Sequence, residues 1–198
     1  MKNANHSAII NFSSALFGLV FACALCLNIA SCSTDPDTGE IIKPVNKDRK
    51  DLSDVDRSFL EFATETSIFE VAIGKLAQKN TTSKEAKELG EMLEADHKKL
   101  LVKAVDFGMA YHLVLPEDLN ETKQDEYNKL EAKKGQEFDH MFCEIMAEGH
   151  QNAIKEFENY LTNGNEAALK GWAEETLPTL KEHLEHAEAF LEKTGTVQ

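Results

Sequence analysis

The stretch Ser83-Lys-Glu-Ala-Lys-Glu-Leu-Gly-Glu-Met-Leu-Glu-Ala-Asp-His-Lys-Lys-Leu-Leu-Val-Lys-Ala-Val-Asp-Phe-Gly-Met-Ala-Tyr111 decides how this chain is read. Ala86, Leu89, Leu93, Leu100, Ala104, Phe107 and Tyr111 recur at three and four residues, which predicts one face of a helix. Ser83 supplies an N-cap hydroxyl, and Glu85 and Glu88 sit where the helix dipole favours negative charge. Between Leu93 and Leu100 the stripe calls for an apolar residue and has Asp96 and His97 instead. A charged and an ionisable group on a buried face are costly unless something pairs with them. The stretch therefore implies partners elsewhere in the chain.

On its N-terminal side, Phe59, Phe62, Thr66, Phe69, Ile73 and Leu76 predict a first helix from Asp54 to Lys79. The short turn Asn80-Thr-Thr-Ser83 makes the two helices antiparallel neighbours. Beyond Tyr111 the period breaks at Pro116, and a short helical piece, Glu121 to Glu131, ends at Lys133-Lys-Gly135. A third long helix, Gln136 to Leu161, carries Phe142, Met146, His150, Ala153, Phe157 and Leu161. Asn163-Gly-Asn165 stops it and caps a fourth, whose stripe is Leu169, Ala173, Thr176, Leu180, His183, Ala187 and Phe190. Pro178 predicts a kink or split in that helix near Thr176 or Leu177. There is no strand-like alternation, nucleotide-binding glycine loop or nucleophile elbow. The fold class is all-α: an antiparallel four-helix bundle over residues 53–198, with a short extra helix in the middle connection. The two short turns are expected at the same end.

Ahead of the bundle, Lys2 and the apolar run Ala15 to Leu27 read as a targeting segment, residues 1–31. The run ends Ile29-Ala-Ser-Cys32, which resembles a bacterial lipobox and implies cleavage before Cys32 and a diacylglycerol on its sulfur. Residues 32–52, with Pro36, Gly39 and Pro44, make a linker that reaches roughly 25 Å as a coil. Asp35-Pro-Asp-Thr-Gly39 within it reads as a turn rather than a calcium loop. These features place the chain in a bacterial cell envelope, at the outer membrane or the periplasmic face, with the membrane as partner through Cys32.

The net charge of -14 over 198 residues excludes a nucleic-acid surface or a polybasic membrane patch. Of the four cysteines, Cys143 alone falls in the bundle, so no disulfide framework is available, and it reads as a small buried hydrophobe. Met92, Met109, Met141 and Met146 are too dispersed for a copper site and read as core filling.

Each of the last three helices places a histidine in its apolar stripe: His97, His150 and His183. At 1.5 Å per residue, and with both turns at one end, these lie about 23, 21 and 28 Å below the turns. Glu70, which can borrow the inward face of the first helix, lies about 17 Å down. Three imidazoles and a carboxylate at one level are what a first-row transition ion such as Zn, Fe or Cu requires. Glu94 and Asp96 are the carboxylates placed to orient those ligands. A metal-free layer of mutually hydrogen-bonded side chains is the alternative. His112, His140 and His186 read as solvent or boundary residues.

Phe59-Leu60, the Glu70 region ahead of Leu76-Ala77, Asp96-His97, Phe138-Asp139, His150 and Leu177-Pro178 followed by His183-Leu184 together carry a resemblance. In their order and spacing the chain resembles the bacterial domain-of-unknown-function 4142 family, which implies a ferritin-like fold and an envelope location. It implies no activity. Ferritin-like di-iron sites use two Glu-x-x-His elements. Glu94-Ala-Asp-His97 matches one, but Glu182-His183-Leu-Glu185-His186 contains none, and His150 stands where a carboxylate is wanted. The first functional reading is therefore a non-enzymatic, lipid-anchored bundle that binds a metal or small partner. The others are a metalloenzyme with an open coordination position and a metal-free structural or interaction module.

Overall fold

The computed structural model describes residues 51–195. The targeting segment, Cys32 and nearly all of the linker lie outside them. Five helices account for the described chain: α1 (Asp54–Asn80), α2 (Lys84–Tyr111), α3 (Glu121–Glu131), α4 (Gly135–Asn163) and α5 (Ala167–Gly195). None of them is long and apolar enough to cross a membrane.

Local chemistry sets their ends. The hydroxyls of Ser53 and Ser83 accept the backbone N–H of Asp56 and Ala86, and the Asn120 side chain accepts that of Lys123, three N-caps of the usual kind. His112 closes α2 in the left-handed region at φ 55°. Asn165, expected to cap the fourth long helix, instead turns towards the start of α1, and the Glu166 carboxylate takes the Ala168 amide at 3.4 Å. Nor does Pro178 split that helix: α5 runs through it unbroken. Its ring costs one amide donor and clashes with the preceding turn, which the flanking buried Thr176, Leu177 and Leu180 hold in place by packing.

α1 packs along α2 and α4 along α5, and the two pairs meet through α1 on α4 and α2 on α5. The direction of travel differs from the sequence expectation. Thr81, in the α1–α2 turn, bonds Asp139 near the start of α4, and Thr82 reaches the same carboxylate at 3.2 Å. Asp56, at the start of α1, instead accepts from Tyr160 at 2.6 Å and from the Asn165 and Glu166 amides at 2.8 and 3.1 Å. The two short turns thus lie at opposite ends. The connection 112–134 accounts for this: it carries the chain back along α1, with Asn120 bonding Glu65 and Lys134 bonding Asn80. The α3 segment is the helical part of that return.

The apolar core falls into two clusters. One, toward the α1–α2 turn, holds Phe69, Ile73, Leu89, Leu93, Phe138, Phe142, Met146 and Phe190. The other, toward the α4–α5 turn, holds Phe59, Leu60, Phe157, Tyr160, Trp172 and Leu180. Each long helix passes from one cluster to the other near its middle, and a polar layer lies at that crossing. Cys143 is buried, as its neighbours implied, and its thiol is pushed up to about 12 by burial and by nearby Asp139. Met109 departs from the core-filling reading: it is 72 % exposed, on the outer face of α2.

Candidate metal centre

Glu70 of α1, His97 of α2, His150 of α4 and His183 of α5 form the polar layer, one side chain per long helix. All four are buried. One nitrogen or oxygen from each lies within 4.8 Å of the others. Glu70 Oε2 is 2.7 Å from His97 Nε2 and 3.1 Å from His150 Nε2, and His150 Nε2 is 3.1 Å from His183 Nδ1.

What surrounds these atoms places the protons of His150 and His183. A neutral imidazole carries one N–H. The Met146 carbonyl lies 2.9 Å from His150 Nδ1, and a carbonyl only accepts, so that nitrogen holds the hydrogen and Nε2 presents a lone pair inward. Asp96 Oδ2 lies 3.3 Å from His183 Nε2, which places the hydrogen there and leaves Nδ1 bare. The Ser67 hydroxyl lies 3.2 Å from His97 Nδ1; a hydroxyl both donates and accepts, so it engages that nitrogen without setting the tautomer. Three outer nitrogens are thus engaged by the protein, two of them by acceptors, and three inner ones face each other and a carboxylate. Glu70 Oε2 and His97 Nε2 are fully buried, with each other as near neighbours. The bare nitrogens of His150 and His183, 3.1 Å apart and beside the Glu70 carboxylate, are acceptors that a cation between them would satisfy.

The electrostatics agree. Burial alone would raise the Glu70 carboxyl, but His150 and His97 beside it hold it down to about 2, so it is an anion. Burial, with His150 and His97 nearby, pulls His183 down to about 4. Burial also lowers His150, against the pull of Glu70. Neutral imidazoles and an ionised carboxylate are the ligand forms of these side chains.

All four residues predicted as ligands are therefore brought together, and Asp96 touches the layer from outside. Glu94 does not. It lies one turn before His97 on the same side of α2, but its carboxylate is turned outward. There Gln78 holds it at 2.6 Å and Lys98 at 2.6 Å. Two orienting groups escaped the sequence reading. Ser67 neighbours Thr66 and differs from any surface serine only by its phase on the helix. The Met146 carbonyl is set by the i, i+4 relation to His150, which the sequence does record. His112, His140 and His186 are exposed, as expected.

The family described as domain of unknown function DUF4142 matches residues 43–190. The chain belongs to that family. No curated protein and no solved structure matches it. In this DUF4142 chain the buried cluster has three imidazoles and one carboxylate. That is poorer in carboxylate than the two-Glu, two-Glu-x-x-His set of a di-iron centre.

Proposed function

We propose that this protein binds one first-row divalent transition ion through Glu70, His97, His150 and His183, inside a ferritin-like four-helix bundle anchored by lipid on Cys32 in the cell envelope. The observation that carries the metal reading is the orientation of the rings: every outer nitrogen is engaged by the protein, and every inner one lies against the others and Glu70, with those of His150 and His183 left as lone pairs. Outer partners that fix ring tautomer and direction are the usual support of metal-bound histidine. The spacing fits as well. An ion bound tetrahedrally at about 2.0–2.2 Å holds its ligand atoms about 3.3–3.6 Å apart. The contacts of 2.7 to 3.1 Å would open by about 0.2–0.9 Å, and the widest separation, within 4.8 Å, would close by up to about 1.5 Å. Three imidazoles and a carboxylate suit Zn, Fe or Cu. The envelope reading rests on Ile29-Ala-Ser-Cys32 and the linker after it.

Elemental analysis of the purified protein, expressed with metal available, should find one ion per chain. His97→Ala, His150→Ala and His183→Ala should each lower metal content and Tm together, while His112→Ala and His186→Ala change neither. Chelator should bring the wild-type Tm down towards those of the ligand variants, because a bound ion stabilises the native state by mass action. A wild-type protein free of metal and indifferent to chelator would leave a hydrogen-bonded structural layer as the reading. Anchoring is checked separately, by mass spectrometry of the mature N-terminus, which should begin at a diacylglyceryl-modified Cys32.

A further inference from the structure

A cavity of about 70 Å³ opens between α1, α3 and α4 and reaches inward to Glu70. Roughly 10–15 Å³ accommodates one water molecule, so the space takes a group of a few heavy atoms and excludes anything the size of a nucleotide. Its walls include Thr66, Phe69 and Asn152. Lys123 of α3 lines it too, with its ammonium group 4.3 Å from the centre of the Phe69 ring. That ammonium is paired at 2.9 Å with Glu126 of its own helix, which is not part of the cavity wall.

We propose that this cavity admits a small inorganic anion to a further coordination position on the ion held by Glu70, His97, His150 and His183. The proposal rests on the metal-binding reading above. One carboxylate and three neutral imidazoles leave a divalent ion with one uncompensated positive charge in a buried layer. Low polarity makes that charge attract a monovalent anion far more strongly than water would allow. Four single-atom donors also leave room, since even zinc expands from four to five ligands. At the cavity wall the Lys123 ammonium favours an incoming anion and opposes a cation. The route therefore suits the extra ligand rather than the metal itself.

Two substitutions isolate the route without touching a ligand. A side-chain carbon added at Gly149, in the cavity wall, meets nothing within 4 Å. Gly149→Leu therefore obstructs the passage while favouring the helix. Lys123→Met keeps the stem over Phe69 and removes the charge. The protein loaded with Co²⁺ is titrated with azide, and the visible d–d bands report coordination number. The wild type should show a saturable spectral change. Both variants should keep the Co²⁺ stoichiometry and need at least tenfold more azide for half-saturation. Unchanged azide affinity in both variants would overturn the route, and a spectrum indifferent to saturating azide would overturn the extra coordination position. Failure to bind Co²⁺ at all would instead overturn the metal reading, and this proposal with it.

Discussion

Asp56 shows how much a single side chain can hold. It is a buried carboxylate that accepts from Ser53 at 2.6 Å, from Tyr160 at 2.6 Å, and from the Asn165 and Glu166 amides. Burial alone would raise its carboxyl, but these donors together bring it from 3.8 to about 2. The native state therefore binds this proton less readily than the unfolded chain. The stabilisation it provides is complete above about pH 4 and is lost as the pH falls towards 2. Asp56→Ala should cost at least about 1.5–3 kcal/mol at neutral pH, the range for hydrogen bonds to a charged group. Urea unfolding at pH 6 and at pH 3 checks both points: the gap between wild type and variant should narrow at the lower pH. Nothing local marks Asp56 for this role. In the sequence it is one more acidic residue in a first helical turn, and apart from Ser53 its partners lie more than a hundred residues away.

The contact between α1 and α2 turns on two glycines whose importance the apolar period does not reveal. A carbon added at Gly90 would lie 2.8 Å from the Ala77 side chain and 2.9 Å from the Gly74 carbonyl. One added at Gly74 would lie 2.7 Å from the Gly90 carbonyl. The backbones meet here about one turn from Glu70 and two from His97, so the seam sets the spacing of two proposed ligands. Gly90→Ala should destabilise the protein by roughly 1–3 kcal/mol through overpacking, although alanine is the better helix former. Gly149→Ala, with open space around the added carbon, should be neutral or stabilising by up to about 1 kcal/mol. Thermal unfolding of the two variants gives the comparison, and equal behaviour would count against the seam. The helices themselves were legible, because stripes such as Phe142, Met146, His150 and Phe157 keep one phase for several turns. Pro178 does not split α5, because a missing amide is a local loss, whereas the packing around α5 is collective.

At the scale of the whole molecule, the level of the histidines was read correctly from an incorrect topology. Counting from turns at one end put His97 and His150 at similar depth. The turns are in fact at opposite ends, but each long helix spans roughly 40–44 Å at 1.5 Å per residue. A residue near the middle is about equally far from either end, so the error cancelled for the site while remaining real for the path of the chain. Loop length alone did not reveal that path, since residues 112–134 can double back or run the length of the domain.

Drawing one ligand from each of four helices bears on how long an ion would stay. No two neighbouring side chains of the chain could retain it alone, and the nearest pair in sequence, Glu70 and His97, is separated by a whole helical hairpin. Departure then requires the long helices to part, an opening governed by the protein and not by whatever waits outside. Transfer from the loaded protein to an excess of coloured chelator should therefore proceed at a rate that levels off as chelator concentration rises. Gly90→Ala, by loosening the α1–α2 seam, should raise that plateau. A rate that climbs in proportion to chelator without limit would mean that the ion leaves through an open door.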